Sequence, residues 1–306
     1  MSNKIILGSR GSKLSIAYAN KVLSLLSNIK PALDKEVILK TIKTSGDLFD
    51  KKKISEIGGK NLFCKEIEDK LISKEIDIAV HSLKDLDSVE TDGLVIQAYL
   101  KRNDPRDTLV SSKFKKLSEL SGQKIGSSSR RRELQLKQLN RNIKVESIRG
   151  NIDTRIKKIE NGEYDGAILA LAGLKVLNLE KYAKEIFSLK DFLPTAGQGI
   201  VAVQCRAQDD HIKKILKEIN HKETETCALA ERSFLKTLGG DCDTAVGCTA
   251  ILNKKDIELK AQLFSDDGTK VFNITKTGKE NEPEVLGKLA GEEILKQSGK
   301  NFIKKR

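Results

Sequence analysis

Between residues 237 and 247 the chain reads Thr237-Leu238-Gly239-Gly240-Asp241-Cys242-Asp243-Thr244-Ala245-Val246-Gly247, a single thiol framed by glycines. Glycine reaches backbone conformations that a Cβ forbids, so such a loop can hold a reactive or covalently substituted cysteine out at a turn. A small apolar filler in a tight turn between a helix and a strand is the other reading, and the loop alone leaves both open. A second candidate is Val80-His81-Ser82-Leu83-Lys84-Asp85, where an apolar run delivers a lysine and an aspartate together. An adjacent ammonium favours the ionised carboxylate, and the alternative is a surface turn pair.

The third group is the arginines. Of 56 basic residues only 12 are Arg, yet Arg102, Arg106, Arg130, Arg131, Arg132, Arg141, Arg149 and Arg155 fall in one short stretch. The chain otherwise uses Lys, so a retained planar donor with two prongs points to carboxylate or phosphate, against the alternative of a solvated basic face. A net charge of +13 agrees with anionic partners.

Composition narrows the classes. The 306 residues, 38% hydrophobic with four prolines, describe ordered globular domains with sizeable cores. No apolar run approaches the roughly 18 residues of a membrane helix, and the segment Lys4–Gly8 is too short for a secretory signal, so a cytoplasmic protein is expected. Five cysteines without a C-x-x-C pair and three scattered histidines support neither a disulfide framework nor a zinc site.

These residues need elements to position them. Residues 4–8 read as a buried strand, and Ser9-Arg10-Gly11-Ser12 turns into an amphipathic helix from Lys13 to about Asn28, a ready anion site with Ser12 as cap. After a strand at 37–42, residues 44–60 are polar and aperiodic, either a lid or disorder. A helix over 62–73 and a strand at 77–80 follow, the latter carrying Asp85 to the strand end where α/β sheets place ligands. Further strands are expected at 94–100, 107–110, 124–126, 145–148 and 167–170, the last ending at Ala172-Gly173, with helices over 130–139 and 151–159. Pro194-Thr195-Ala196-Gly197-Gln198-Gly199 lacks dinucleotide-fingerprint spacing and reads as a crossing point between domains before a strand at 200–205. Helices over 210–219 and 223–238 and the Cys242 loop follow, and strands at 246–251, 257–264 and 271–275 with a helix over 283–297 read as a small α+β unit. Strands alternating with helices before it predict an α/β class with mainly parallel sheets.

In order along the chain, Ser9-Arg10-Gly11-Ser12, Gly59-Lys60-Asn61-Leu62-Phe63, Val80-His81-Ser82-Leu83-Lys84-Asp85 and Asp104-Pro105-Arg106-Asp107 match one known pattern. So do Gly126-Ser127-Ser128-Ser129-Arg130-Arg131-Arg132, Ile148-Arg149-Gly150-Asn151 with Thr154-Arg155, the 194–199 turn and the Cys242 loop. With them the chain resembles the porphobilinogen deaminase (hydroxymethylbilane synthase) family over nearly its whole length.

The resemblance implies two lobes like those of periplasmic binding proteins around a cleft, plus a small third domain: residues 1–98 with 199–219, residues 99–198, and residues 220–306. It implies a monomeric transferase of tetrapyrrole (haem) biosynthesis that uses a dipyrromethane bound through a thioether to Cys242. Four porphobilinogen molecules lose ammonia and add head to tail to that primer, and water releases hydroxymethylbilane. Asp85 takes the catalytic position. Arg10, Ser12, Lys84, Ser129, Arg131, Arg132, Arg149, Gly150 and Arg155 take the cofactor-binding positions, with Arg102 and Lys60 added as cleft residues.

The chain departs from the family pattern at Asp241, Ala245, Leu86-Asp87 and Val176. Arg130 stands at a usually apolar position and is expected to face solvent, outside the site. A solute-binding protein leaves the Cys242 loop unexplained. A nucleic-acid binder is poorly served by 4% aromatic residues, and a cysteine hydrolase lacks a local base.

Overall fold

A computed structural model of the chain describes residues 4–29, 36–48, 63–239, 244–299 and residue 302. The first elements are β1 (Lys4–Arg10), α1 (Lys13–Asn28), β2 (Glu36–Ile42), α2 (Ser45–Leu48), α3 (Lys65–Ile72), β3 (Ile78–Ser82) and β4 (Leu94–Tyr99). Next come β5 (Asp107–Val110), β6 (Lys124–Gly126), α4 (Arg130–Leu139), β7 (Lys144–Glu146), α5 (Ile152–Glu160), β8 (Gly166–Ala170), α6 (Leu171–Val176) and β9 (Ala183–Ile186). The chain ends with β10 (Val201–Arg206), α7 (Asp210–Lys217), α8 (Lys222–Leu238), β11 (Val246–Asn253), β12 (Asp256–Phe264), β13 (Val271–Lys279) and α9 (Pro283–Ser298).

These elements divide into two compact units, residues 1–103 with 199–228 and residues 104–198 with 229–306. Each holds a five-stranded sheet of the same topology, ordered β2-β1-β3-β10-β4 in one and β7-β6-β8-β5-β9 in the other. In the first, β1 runs parallel to β2 and β3, and β10 lies antiparallel between β3 and β4. In the second, β6 runs parallel to β7 and β8, and β5 lies antiparallel between β8 and β9. The inserted antiparallel strand follows a crossing segment in both cases, 100–106 before β5 and 193–200 before β10. The expected α/β class is therefore the fold, but its two five-stranded sheets are mixed, with two parallel and two antiparallel pairings in each, because the inserted strand runs against its neighbours.

Parallel strands buried on both faces read as continuous apolar runs, which is why β3 and β8 were visible in sequence. Leu109, Ile125 and Ile168 form one core with Phe187 and Phe192, and Ile42, Ile67, Leu71, Ile76 and Ala79 form another. The second unit also contains the antiparallel meander β11-β12-β13. Its helix α9 approaches α8 through Gly287 and Gly291, where an added Cβ would meet the Ala230 carbonyl and the Thr237 side chain.

The short helix α2 lies inside the stretch 44–60 read as aperiodic, whose residues 49–60 lie outside the described residues, and two further elements differ from expectation. The strand near 170 stops at Ala170 and turns straight into α6, because Leu171, Ala172, Gly173 and Leu174 all go into the core and four apolar residues have no readable period. The four-residue strand β9 carries alternating charge, Ala-Lys-Glu-Ile, and lies at a sheet edge, so no buried pattern marks it.

Candidate active site

In the first unit the site residues sit at the C-terminal ends of two adjacent parallel strands. β1 ends on Arg10, whose guanidinium carbon lies 4.1 Å from the centroid of the Phe63 ring. Ser12 is the N-cap of α1: its hydroxyl oxygen accepts from the Ser15 N–H at 3.2 Å and its O–H donates to Ser15 Oγ at 2.8 Å. Beside it, β3 runs into one 3₁₀ turn, Leu83–Asp85, held by the Leu83 N–H on the Ile200 carbonyl at 2.9 Å. Lys84 is exposed and Asp85 half-buried.

The Cys64 thiol donates to the backbone carbonyl of Asp85 at 3.3 Å, which ties the Asp85 turn to the start of α3. Burial, reinforced by the negative charge of Asp85, pushes the Tyr18 phenol up to about 12 and the Cys64 thiol well above its usual range. Neither group ionises near neutrality. His81, one strand position before Ser82, is buried and held neutral, its pKa lowered to about 4 by desolvation. Asp85 therefore stands beside two acids that keep their protons.

In the second unit two more adjacent parallel strands, β6 and β7, end on helix N-termini. Ser129 caps α4 by accepting from the Arg132 N–H at 3.4 Å. After β7, Gly150 takes φ +105°, and a Cβ there would lie 2.7 Å from Thr154 Cγ2. The Arg155 Nε–H donates to the Gly150 carbonyl at 2.8 Å, so Arg149, Gly150 and Arg155 form one group at the start of α5.

The arginines of α4 are internal. Arg131 and Arg132 are 4% and 8% exposed, and the carboxylate they share, Asp107, is fully buried. Arg131 Nη2 donates to Asp107 Oδ2 at 2.9 Å and Arg132 Nη2 to Asp107 Oδ1 at 2.7 Å. Arg131 Nη1 also donates to the Leu193 carbonyl and Arg132 Nη1 to the Ile168 carbonyl, the latter at 3.0 Å. The two guanidinium groups hold the Asp107 carboxyl down to about 2 against its desolvation, and burial lowers Arg131 to about 10.

Two positive charges thus share one negative charge, and the other acceptors are neutral. The Nε–H groups of both arginines are buried without a hydrogen-bond partner. Unsatisfied buried donors of charged groups are costly, and a carboxylate ligand would offset that cost. A pyrrole bearing acetate and propionate fits this donor set.

Arg130 does not simply face solvent. Its Nη2 donates to the Asp266 carbonyl at 2.6 Å and its Nη1 pairs with Glu133 at 2.7 Å, fastening the β12–β13 hairpin to α4. Arg102 is half-buried, with its backbone N–H on Thr224 Oγ1 at 3.0 Å. Lys60 and Cys242 lie outside the described residues. On either side of the cysteine, Gly239 ends α8 at φ +67°, and Ala245 is buried with Leu134 of α4 and Phe264.

Sequence reasoning missed Asp107, Gln198 and Glu231. Gln198 Nε2 donates to the Pro105 carbonyl at 2.6 Å and to Asp107 Oδ1 at 2.9 Å. Fully buried Glu231 accepts from the Gly197 N–H at 2.6 Å and the Ala250 N–H at 2.7 Å. A carboxylate opening the otherwise buried strand Asp107-Thr108-Leu109-Val110 was the available signal, since such a charge needs a buried partner. Among the described residues no helix is long and apolar enough to cross a membrane, and no group of His, Cys, Asp and Glu could hold a metal.

The family model described as porphobilinogen deaminase, dipyromethane cofactor binding domain, matches residues 5–214, and that described as porphobilinogen deaminase, C-terminal domain, matches residues 225–296. The porphobilinogen deaminase of Nitrobacter hamburgensis is 38% identical over 298 residues, covering 97% of this chain and 94% of the relative. That of Brevibacillus brevis is 42% identical over 299 residues, covering 97% and 96%. Among solved structures, the periplasmic aliphatic sulphonate binding protein SsuA from Escherichia coli has a TM-score of 0.41 at 13% identity, covering 78% of this chain and 70% of that one.

Proposed function

The chain belongs to the porphobilinogen deaminase family, and from that premise we propose how its residues carry out head-to-tail condensation of porphobilinogen. Four substrate molecules are deaminated and joined on a primer tethered to Cys242, and the linear tetrapyrrole hydroxymethylbilane is released by water. The dipyrromethane, when bound, supplies the electron-rich terminal ring carbon for the first addition and the tether for the chain. The observation that carries the reading is the buried Arg131–Asp107–Arg132 cluster with its surplus positive charge.

Each ring brings an acetate and a propionate, so the bound chain gains two negative charges with every addition. Bringing like charges to about 4 Å costs roughly 4 kcal/mol per pair at an effective dielectric of about 20. Arg131 and Arg132 offset one such charge from inside the fold, and Arg10, Lys84, Arg149 and Arg155 act nearer the surface. The N–H groups after Ser12, Ser129 and Gly150 add the positive ends of helix dipoles. Arg102 and Lys60 join this set as carboxylate partners in the proposal.

Asp85 acts on the substrate's cation. Ammonia leaves with the electron pair of the broken carbon–nitrogen bond, and the pyrrole nitrogen feeds its lone pair toward the methylene carbon. A carboxylate at the ring N–H stabilises the positive charge that develops there. Tyr18 and Cys64, both protonated, add no competing negative charge beside it. Asp85 is then placed to accept the ring-carbon proton after carbon–carbon bond formation.

Ala245, which lies beyond the cysteine loop in sequence, packs on Leu134 of α4. A third domain over 220–306, a cytoplasmic location and the monomeric state belong to the same proposal, the last resting on the family resemblance alone. Incubating the purified protein with porphobilinogen tests it: ammonia release with hydroxymethylbilane formation is expected, and substrate binding without ammonia release would overturn the reading.

A further inference from the structure

The turn Pro194–Gly199 and its entry are bonded to the arginine helix α4, to Asp107 and to the strand β11. The Leu193 carbonyl, at its entry, accepts from Arg131 and from Gln135 Nε2 at 3.0 Å. The Pro194 carbonyl accepts from the Cys248 N–H at 2.8 Å, on the strand that leaves the cysteine loop. Glu231 bridges the Gly197 N–H to the Ala250 N–H of the same strand. Gly197 and Gly199 both have positive φ, +73° and +84°, so the backbone around Gln198 is fixed by geometry that other residues rarely adopt.

We infer that Gln198 is a positioning residue for the carboxylate-binding arginine pair, and that this turn holds that pair in register with the strand following the tether. The inference rests on the reading that Arg131 and Arg132 hold pyrrole carboxylates.

The amide is used at both ends. Its nitrogen donates to Pro105 and Asp107, and its oxygen accepts from Arg132 Nη2 at 3.4 Å. Asp107 Oδ1 is thus occupied by one arginine and one amide, and Oδ2 by the other arginine. Both guanidinium groups are held while neither Nε–H is consumed. The groups facing Asp107 are Arg131 and Arg132 from α4 and the neutral Gln198 amide. A carboxylate at position 198 would remove both donations and neutralise the surplus charge that a ligand carboxylate needs. Its protonated form would restore one donor and the charge.

Four holoproteins are compared: wild type, Gln198→Glu, Gln198→Met and Arg132→Gln. The readouts are KM and kcat for porphobilinogen between about pH 6 and about pH 8, and the fraction of chains carrying dipyrromethane by denaturing mass spectrometry. For Gln198→Glu a KM raised about tenfold at the upper pH, shrinking toward wild type at the lower, is expected, with fewer loaded chains. Gln198→Met should raise KM by a smaller factor that does not change with pH. Wild-type KM and loading in both Gln198 variants would overturn the inference, as would equal losses confined to kcat without pH dependence. Should Gln198→Glu fail to fold, Gln198→Met decides: raised KM with retained kcat supports the inference, and unchanged KM overturns it. Full loading and wild-type KM in Arg132→Gln would instead overturn the underlying reading of the arginine pair.

Discussion

Asp107 Oδ2 lies 2.9 Å from Arg131 Nη2, with both side chains buried. This pair places the arginines proposed to bind carboxylates inside the second unit instead of on its surface. Removing the carboxylate leaves two buried positive charges together. Asp107→Asn should destabilise the protein by roughly 3–5 kcal/mol, the usual cost of orphaning a buried charge. Urea unfolding of the two proteins checks this, and equal midpoints would contradict it.

Acid sensitivity follows from the same group. The Asp107 pKa is depressed in the fold to about 2, below its unfolded value, chiefly by Arg132 and Arg131 against burial. Its contribution is therefore present above the unfolded pKa and lost as pH falls toward about 2. Stability measured from pH about 5 downward should decline more steeply in wild type than in Asp107→Asn. Parallel curves would rule out this assignment.

In the proposed mechanism Asp85→Asn removes the charge that steadies the deaminated substrate while leaving the shape of the turn. Loss of at least about 10²–10³ in kcat is expected, with dipyrromethane still attached to the chain. Single-turnover ammonia release reads the rate, and substantial turnover in the variant would remove Asp85 from its role.

The Cys64 thiol is buried and bonded to the Asp85 carbonyl, and burial with Asp85 keeps it protonated near neutrality, so it is a poor nucleophile. Iodoacetamide near pH 8 should leave Cys64 unlabelled in the native protein and label it after denaturation. Rapid native labelling would contradict the buried thiol hydrogen bond to the Asp85 carbonyl.

Gly291→Ala tests the close approach of α9 to α8. An added Cβ would lie 2.7 Å from Thr237 Cβ at the end of α8, so loss of about 1–3 kcal/mol is expected. A thermal melt unchanged from wild type would mean that α8 and α9 can separate without cost.

Most of the fold was legible because its strands are short apolar runs between glycine or serine turns, and its helices begin on caps such as Ser12 and Ser129. The site was legible as a set of motifs, but not as a mechanism of support. Arg131 and Arg132 read as donors for a ligand, whereas their guanidinium groups donate to Asp107, the Leu193 and Ile168 carbonyls and Gln198. Gln198 read as part of a crossing turn, because nothing local marks an amide whose partners lie 91 and 93 residues away. Arg130 looked solvent-facing because its acceptor, the Asp266 carbonyl, sits in a hairpin 136 residues further on. Long-range polar pairing has no sequence period, and that is why it escaped.

The most direct measurement is the mass of the purified active protein under denaturing conditions, followed by peptide mapping. The account predicts a dipyrromethane adduct confined to the peptide containing Cys242, with Cys64, Cys205, Cys227 and Cys248, all buried, unmodified. Active protein with a bare Cys242 thiol, or with the adduct on another cysteine, would contradict it.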